Sequence, residues 1–180
     1  MSPKDSWSAE QKSNDKTGEA RLFELMDLAH KWASGPNKDN EWTNSLLPYL
    51  TLTSTSLPTP GSQTPISCTF TFEVHPQHTN RLGNLHGGAI ATLFDFCTSC
   101  ALALVSKPGF WHYLGVSRTL NTTYLRPAVG GTTVKIECEV IQIGKRICTL
   151  RGTMRRIEDD VVLAVCEHGK VNTDPEVAKV

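Results

Sequence analysis

Among the residues able to do chemistry, Asp95 stands apart. It is the only acidic residue in the run 86–106 (HGGAIATLFDFCTSCALALVS), which holds no Lys or Arg. The run is too long for one strand and apolar nearly all round, which predicts a helix buried on most sides. A carboxylate in such an element is costly unless it is paired, hydrogen-bonded or exposed. Asp95 lies too deep in the run to be an N-cap. Helical spacing sets it near Ala91 and Leu102, on the flank of the stripe made by Ile90, Phe94 and Ala101. It therefore faces a cleft beside the core, a neighbouring strand, or solvent; spacing alone leaves all three open.

The segment ahead of this helix, 80–88, is polar and glycine-bearing and includes Asn80, His86, Gly87 and Gly88. A helix N-terminus offers unpaired backbone N–H groups and a positive dipole end, and glycines let a carbonyl approach them closely. That is the physics of an oxyanion hole. The plain alternative is a tight turn in which His86 makes a local hydrogen bond. The loop lacks the GK[ST] of a phosphate loop and the GxGxxG spacing of a dinucleotide fold.

Cys97 and Cys100 form a CxxC pair, two of six cysteines with Cys68, Cys138, Cys148 and Cys166. A redox pair sits where a helix begins, and this one falls about ten residues inside. A structural zinc site needs a second ligand pair, which the spacing does not offer, so no metal and no cofactor are expected. The cysteines read as small buried hydrophobes.

The elements that must position these groups follow from periodicity. Residues 1–19 are polar and aperiodic and read as a flexible arm. Leu22, Leu25, Met26, Ala29, Trp32 and Ala33 recur at helical steps, and Gly35-Pro36 ends that helix. Residues 49–56 read as a strand, followed by a loop through Pro60 and Gly61. Cys68, Phe70, Phe72 and Val74 alternate with polar residues as a half-buried strand. After the central helix come strands over 113–125, 134–143, 147–155 and 161–171. The alternation in the second of these slips at Val140-Ile141, the mark of a bulge. Short links favour antiparallel hairpins. One sheet wrapped round one central helix is the simplest way to bury that helix, and its open edges favour a second subunit.

The balance of 18 basic and 18 acidic residues in a chain of 180 argues against a nucleic-acid partner bound through a broad basic field. The aliphatic run 101–105 falls far short of the roughly 20 apolar residues that cross a bilayer. The first residues have no secretory apolar stretch and carry Asp5, Glu10, Asp15 and Glu19, which a mitochondrial presequence avoids. The expected location is the cytoplasm, with the mitochondrion as the alternative.

The run 80–95, NRLGNLHGGAIATLFD, resembles the signature of the hotdog-fold acyl-CoA thioesterases, in the branch that holds phenylacetyl-CoA and medium-to-long-chain acyl-CoA enzymes. The resemblance covers residues 65–172. It implies an α+β hotdog fold over 49–175, an antiparallel sheet around a long central helix, with an arm and an extra helix over 1–48. By position it makes Asp95 the catalytic carboxylate, acting across a dimer interface as general base or as nucleophile. It makes the Gly87 N–H the oxyanion donor, Asn80 an orienting group, Ser117 the helper of the carboxylate and His86 a support for the loop. It points to Lys145, Arg146, His168 and Lys170 for the phosphates of coenzyme A. A homodimer or dimer of dimers acting on acyl-CoA is expected. The rival is a non-catalytic acyl-CoA-binding hotdog module. A Ser-His-Asp hydrolase is disfavoured, since no GxSxG elbow is present.

Overall fold

The computed structural model describes residues 16–36, 38–58 and 64–175. Of the arm expected over 1–19, residues 1–15 lie outside the described residues, as does the turn at Pro60 and Gly61, and residues 18 and 19 are already helical.

The first helix, α1 (Gly18–Ser34), starts earlier than the apolar stripe suggests. Leu22, Met26 and Ala33 are buried, whereas Trp32 is 57% exposed and leaves the stripe. Three short 3-10 turns over residues 38–49 carry the chain to the sheet. His30 binds this segment to α1, its Nε2 lying 3.0 Å from the Leu47 carbonyl and 2.9 Å from the Leu50 carbonyl.

Six strands follow: β1 (Leu50–Ser56), β2 (Ser67–Glu73), β3 (Val116–Tyr124), β4 (Thr133–Ile143), β5 (Ile147–Arg156) and β6 (Val162–Val171). They form one sheet in the order β1-β2-β4-β5-β6-β3, and every pair is antiparallel. The slip at Val140 is real, as the register with β5 shifts between Val140 and Gln142. The strand expected over 113–125 begins later. Trp111, Leu114 and Gly115 adopt positive φ angles of 54°, 58° and 61°, which no strand accommodates. Trp111 is wholly buried, its indole N–H donating to the Gly144 carbonyl at 2.7 Å, so it plugs the core beneath the β4–β5 turn.

The second helix, α2 (Gly87–Ala101), runs across one face of the sheet and packs on β2 to β6. It buries Ile90, Leu93, Phe94, Cys97, Thr98, Cys100 and Ala101. Each of its large apolar side chains contributes about 1.5–3 kcal/mol by leaving water. By length and composition the stretch Gly87–Leu104 is apolar enough to cross a membrane, more than the short run at 101–105 suggests. The sheet supplies the apolar surroundings instead. All six cysteines are buried and unpaired, and burial pushes the thiols of Cys97 and Cys100 well up. That is the opposite of what a redox pair needs.

Close contact between helix and sheet depends on Gly152 in β5. A Cβ there would meet Phe94 ring atoms at 2.5 and 2.8 Å and the Thr98 methyl at 3.2 Å. Phe94 has no free side to retreat to, so Gly152→Ala should cost about 1–3 kcal/mol through overpacking. The urea midpoint reads this directly, and an unchanged midpoint would contradict the packing.

Candidate active site

The face of α2 that carries Asp95 meets β3 and β6. Asp95 Oδ1 accepts a 2.6 Å hydrogen bond from the Ser117 hydroxyl, at the start of β3. The carboxylate side chain is 48% exposed. Its Oδ2 has no hydrogen-bond partner among the described residues. Below it lies His168 of β6, fully buried, with Nε2 at 2.9 Å from Ser117 Oγ and 3.4 Å from Asp95 Oδ1. The other ring nitrogen, Nδ1, is 2.7 Å from the Thr98 hydroxyl.

The family pattern places His168 and Lys170 at the coenzyme A phosphates, and the structure corrects this. Both belong to the set Ala164, Cys166, His168 and Lys170 that β6 turns inward. A phosphate at the surface cannot reach a fully buried imidazole. Lys170 donates to Ser99 Oγ at 2.5 Å, and Ser99 donates to the Asp95 main-chain carbonyl at 2.6 Å. Burial lowers the Lys170 pKa, against the pull of Asp95. Lys145 and Arg146 are exposed in the β4–β5 turn, and Asn172 bonds only their main-chain carbonyls.

Burial pushes the His168 pKa down to about 4, Lys170 adding to the effect and Asp95 opposing it. A histidine depressed from 6.5 makes its full contribution to stability above that value. Below it the unfolded chain gains a proton that the folded one refuses. Stability should therefore fall by up to about 3 kcal/mol as pH drops through the window from 6.5 to 4. Urea melts at pH 7 and 4.5 test this, since His168→Asn should flatten the slope and an equal slope in both proteins would refute it.

The loop before α2 is held by its own polar groups. Asn80 Oδ1 accepts from the Leu82 and Asn84 amides at 2.9 and 3.3 Å. Its amide NH2 has no partner among the described residues. His86 is the N-cap, Nδ1 accepting from the Gly88 N–H at 3.0 Å. That occupies the Gly88 amide, while the Gly87 amide has no partner among the described residues. The Tyr124 hydroxyl donates to the Gly87 carbonyl at 2.9 Å and fixes that peptide. Beside it lies a cleft of about 310 Å³, lined by Trp42, Leu46, His78, His86 and Ala89 among others.

Asp95 and Gly87 belong to one helix but not to one reaction centre within one chain. Eight residues separate them, about 12 Å along the axis. The elements that do meet at Asp95 are the middle of α2, the start of β3 and the end of β6. Thr98 and His168 join this set although the sequence reading gave neither a place at the carboxylate. The alternation of β6 was the available signal, since Ala164 and Cys166 set the inward parity that His168 shares.

An antiparallel sheet curled about a long apolar helix is the fold of the hotdog thioesterases, and the similar chains carry that name. The family model described as the thioesterase superfamily matches residues 82–163 of this chain. Acyl-coenzyme A thioesterase 13 of Mus musculus is 39% identical over 75 residues, 42% of this chain and 51% of that protein. The chain thus spans about half the length of the curated relatives it matches. The crystal structure of zebrafish thioesterase superfamily member 2 superposes with a TM-score of 0.68 at 25% identity, over 83% of this chain and 96% of that one. The Escherichia coli PaaI protein of the phenylacetic acid degradation operon shares the fold, with a TM-score of 0.62 at 16% identity over 92% of this chain and 99% of that one.

Proposed function

We propose that this protein hydrolyses the thioester of an acyl-CoA to the free acid and coenzyme A, and does so as a homodimer. The observation that carries the reading is the half-exposed Asp95 carboxylate, held by Ser117 over a buried His168. Asp95 acts as general base. Ser117 fixes Oδ1, which leaves Oδ2 to take a proton from a water molecule. The water oxygen bonds to the thioester carbon, the C–S bond breaks, and the thiolate leaves to be protonated.

The developing oxyanion needs a donor, and the Gly87 amide is the free one at the helix start. Since it lies about 12 Å from Asp95 in its own chain, the donor comes from a second copy. The edge strand β3 offers the seam. It is exposed along most of its length, with Val116 and Tyr124 54% and 52% exposed, and unpaired edges of this kind pair with a partner. The free amide of Asn80 is suited to orient the thioester or the water. Lys145 and Arg146 are cations available to phosphates. No metal or cofactor takes part.

The test is thiol release from a panel running from acetyl- to palmitoyl- and phenylacetyl-CoA. Turnover on some member of the panel is expected. Binding without thiol release would establish the non-catalytic module instead.

A further inference from the structure

Thr98 is a buried helical threonine, and its one hydroxyl hydrogen has a fixed destination. It donates to the Phe94 carbonyl at 2.6 Å, an atom that can only accept. The Thr98 oxygen therefore cannot also donate to His168, 2.7 Å away, and must accept. That puts the ring hydrogen on Nδ1 and leaves Nε2 bare, facing Ser117 and Asp95.

Counting hydrogens along this chain gives a consequence. Four contacts link Phe94, Thr98, His168, Ser117 and Asp95. A neutral His168, two hydroxyls and an ionised Asp95 supply three hydrogens. One contact, between Ser117 Oγ and His168 Nε2, stands without a hydrogen while Ser117 donates to the carboxylate. A proton arriving on Asp95 completes the set. A half-turn of the protonated carboxyl brings the new Oδ2–H to Ser117, the Ser117 hydroxyl turns its hydrogen to Nε2, and every contact is filled without charging His168.

We propose that Thr98 is a positioning residue that locks His168 in its Nδ1–H form, so that the Asp95–Ser117–His168 set is poised to receive the proton lost by the attacking water. This rests on the thioesterase reading above and deepens it. In the opposite tautomer, Nε2–H donates to Ser117, Nδ1 faces the Thr98 oxygen with no hydrogen between them, and a proton on Asp95 cannot turn the Ser117 hydrogen to His168. The proton balance closes. The water proton rests on Asp95 while the C–S bond breaks, then passes to the thiolate sulfur, and the acid product ionises into solvent. The titratable groups facing His168 are Asp95 from α2 and Lys170 from its own strand. Its register partners on the adjoining strands are Leu120 and Leu150.

The experiment compares wild type with Thr98→Val and Thr98→Ser in the full chain. Thr98→Val keeps the shape and removes the acceptor, so the tautomer is free to change. Long-range 15N correlation spectra of the histidine rings should show His168 as Nδ1–H in wild type and as Nε2–H in Thr98→Val. With the best substrate of the panel, kcat should fall about 10–100-fold in Thr98→Val with KM little changed. Thr98→Ser should recover most of the loss and the wild-type ring signal. An unchanged tautomer together with an unchanged kcat in Thr98→Val overturns the proposal. If wild type releases no thiol from any acyl-CoA, it is the thioesterase reading that fails, whatever the spectra show.

Discussion

Asp95→Asn lowers kcat by about 10²–10⁴-fold, the range over which a positioned general base contributes. Asparagine keeps an oxygen for the Ser117 hydroxyl and matches the carboxylate in size, so the fold and the binding of acyl-CoA are expected to survive. KM should therefore stay close to the wild-type value while kcat collapses, the pattern of a group that acts only in the chemical step. Steady-state thiol release over a substrate series measures both constants. Equal hydrolysis by the two proteins would remove Asp95 from the mechanism, and a rise in KM alone would make it a binding group.

The second large effect comes from a residue that touches no substrate. Gly115 has a φ of 61°, and a Cβ there would collide with the Val171 carbonyl and come within 2.8 Å of the Trp111 ring. A left-handed backbone at a non-glycine residue costs of order 1–3 kcal/mol before any clash is counted. Neither neighbour yields easily, because one is main chain and the other is a fully buried indole. Gly115→Ala should thus lower stability by more than about 3 kcal/mol if the backbone holds its place. If it gives way instead, the start of β3 lifts from β6, and Ser117 moves off Asp95. Either outcome depresses activity, and thermal melts beside kcat separate the two. A variant with wild-type Tm and wild-type rate would contradict the geometry of this turn.

The sequence reveals the fold well because its signals are strictly periodic. Alternation in β2, β4 and β5 marks inward and outward faces directly, and the slip at Val140 marks the bulge. The all-apolar helix demands a wrapping sheet, which is what surrounds it. The start of β3 misleads because residues 113–115 look apolar and extended, while positive φ at Leu114 and Gly115 depends on the turn that seats Trp111. Trp32 misleads because a stripe drawn from spacing ignores how narrow the contact with the rest of the chain is.

The site divides along the same line. Asp95 is conspicuous as a charge in an apolar run, and Ser117 follows from the family pattern. His168 and Lys170 look like phosphate ligands because the family resemblance sets phosphate contacts in the last strand. The parity of β6 says otherwise, since Ala164 and Cys166 fix the inward face. Thr98 is invisible to spacing arguments. Its importance comes from a single hydrogen already committed to Phe94, and that is a fact of geometry.

The central claim is that one subunit supplies Asp95 and its partner supplies the Gly87 amide. Subunit mixing tests it most directly. Gly87→Pro removes the amide hydrogen at the first helical position, where proline is well tolerated. His86 already holds φ −63° and ψ 137°, the extended backbone that a following proline requires. Asp95→Asn and Gly87→Pro should each be nearly inactive alone. Co-refolded in equal amounts, half of the dimers are hybrids, each with one intact site, and roughly a quarter of the wild-type rate should return. A mixture that exchanges subunits, shown by co-purification of differently tagged chains, yet stays as inactive as its components would contradict a site shared between two chains.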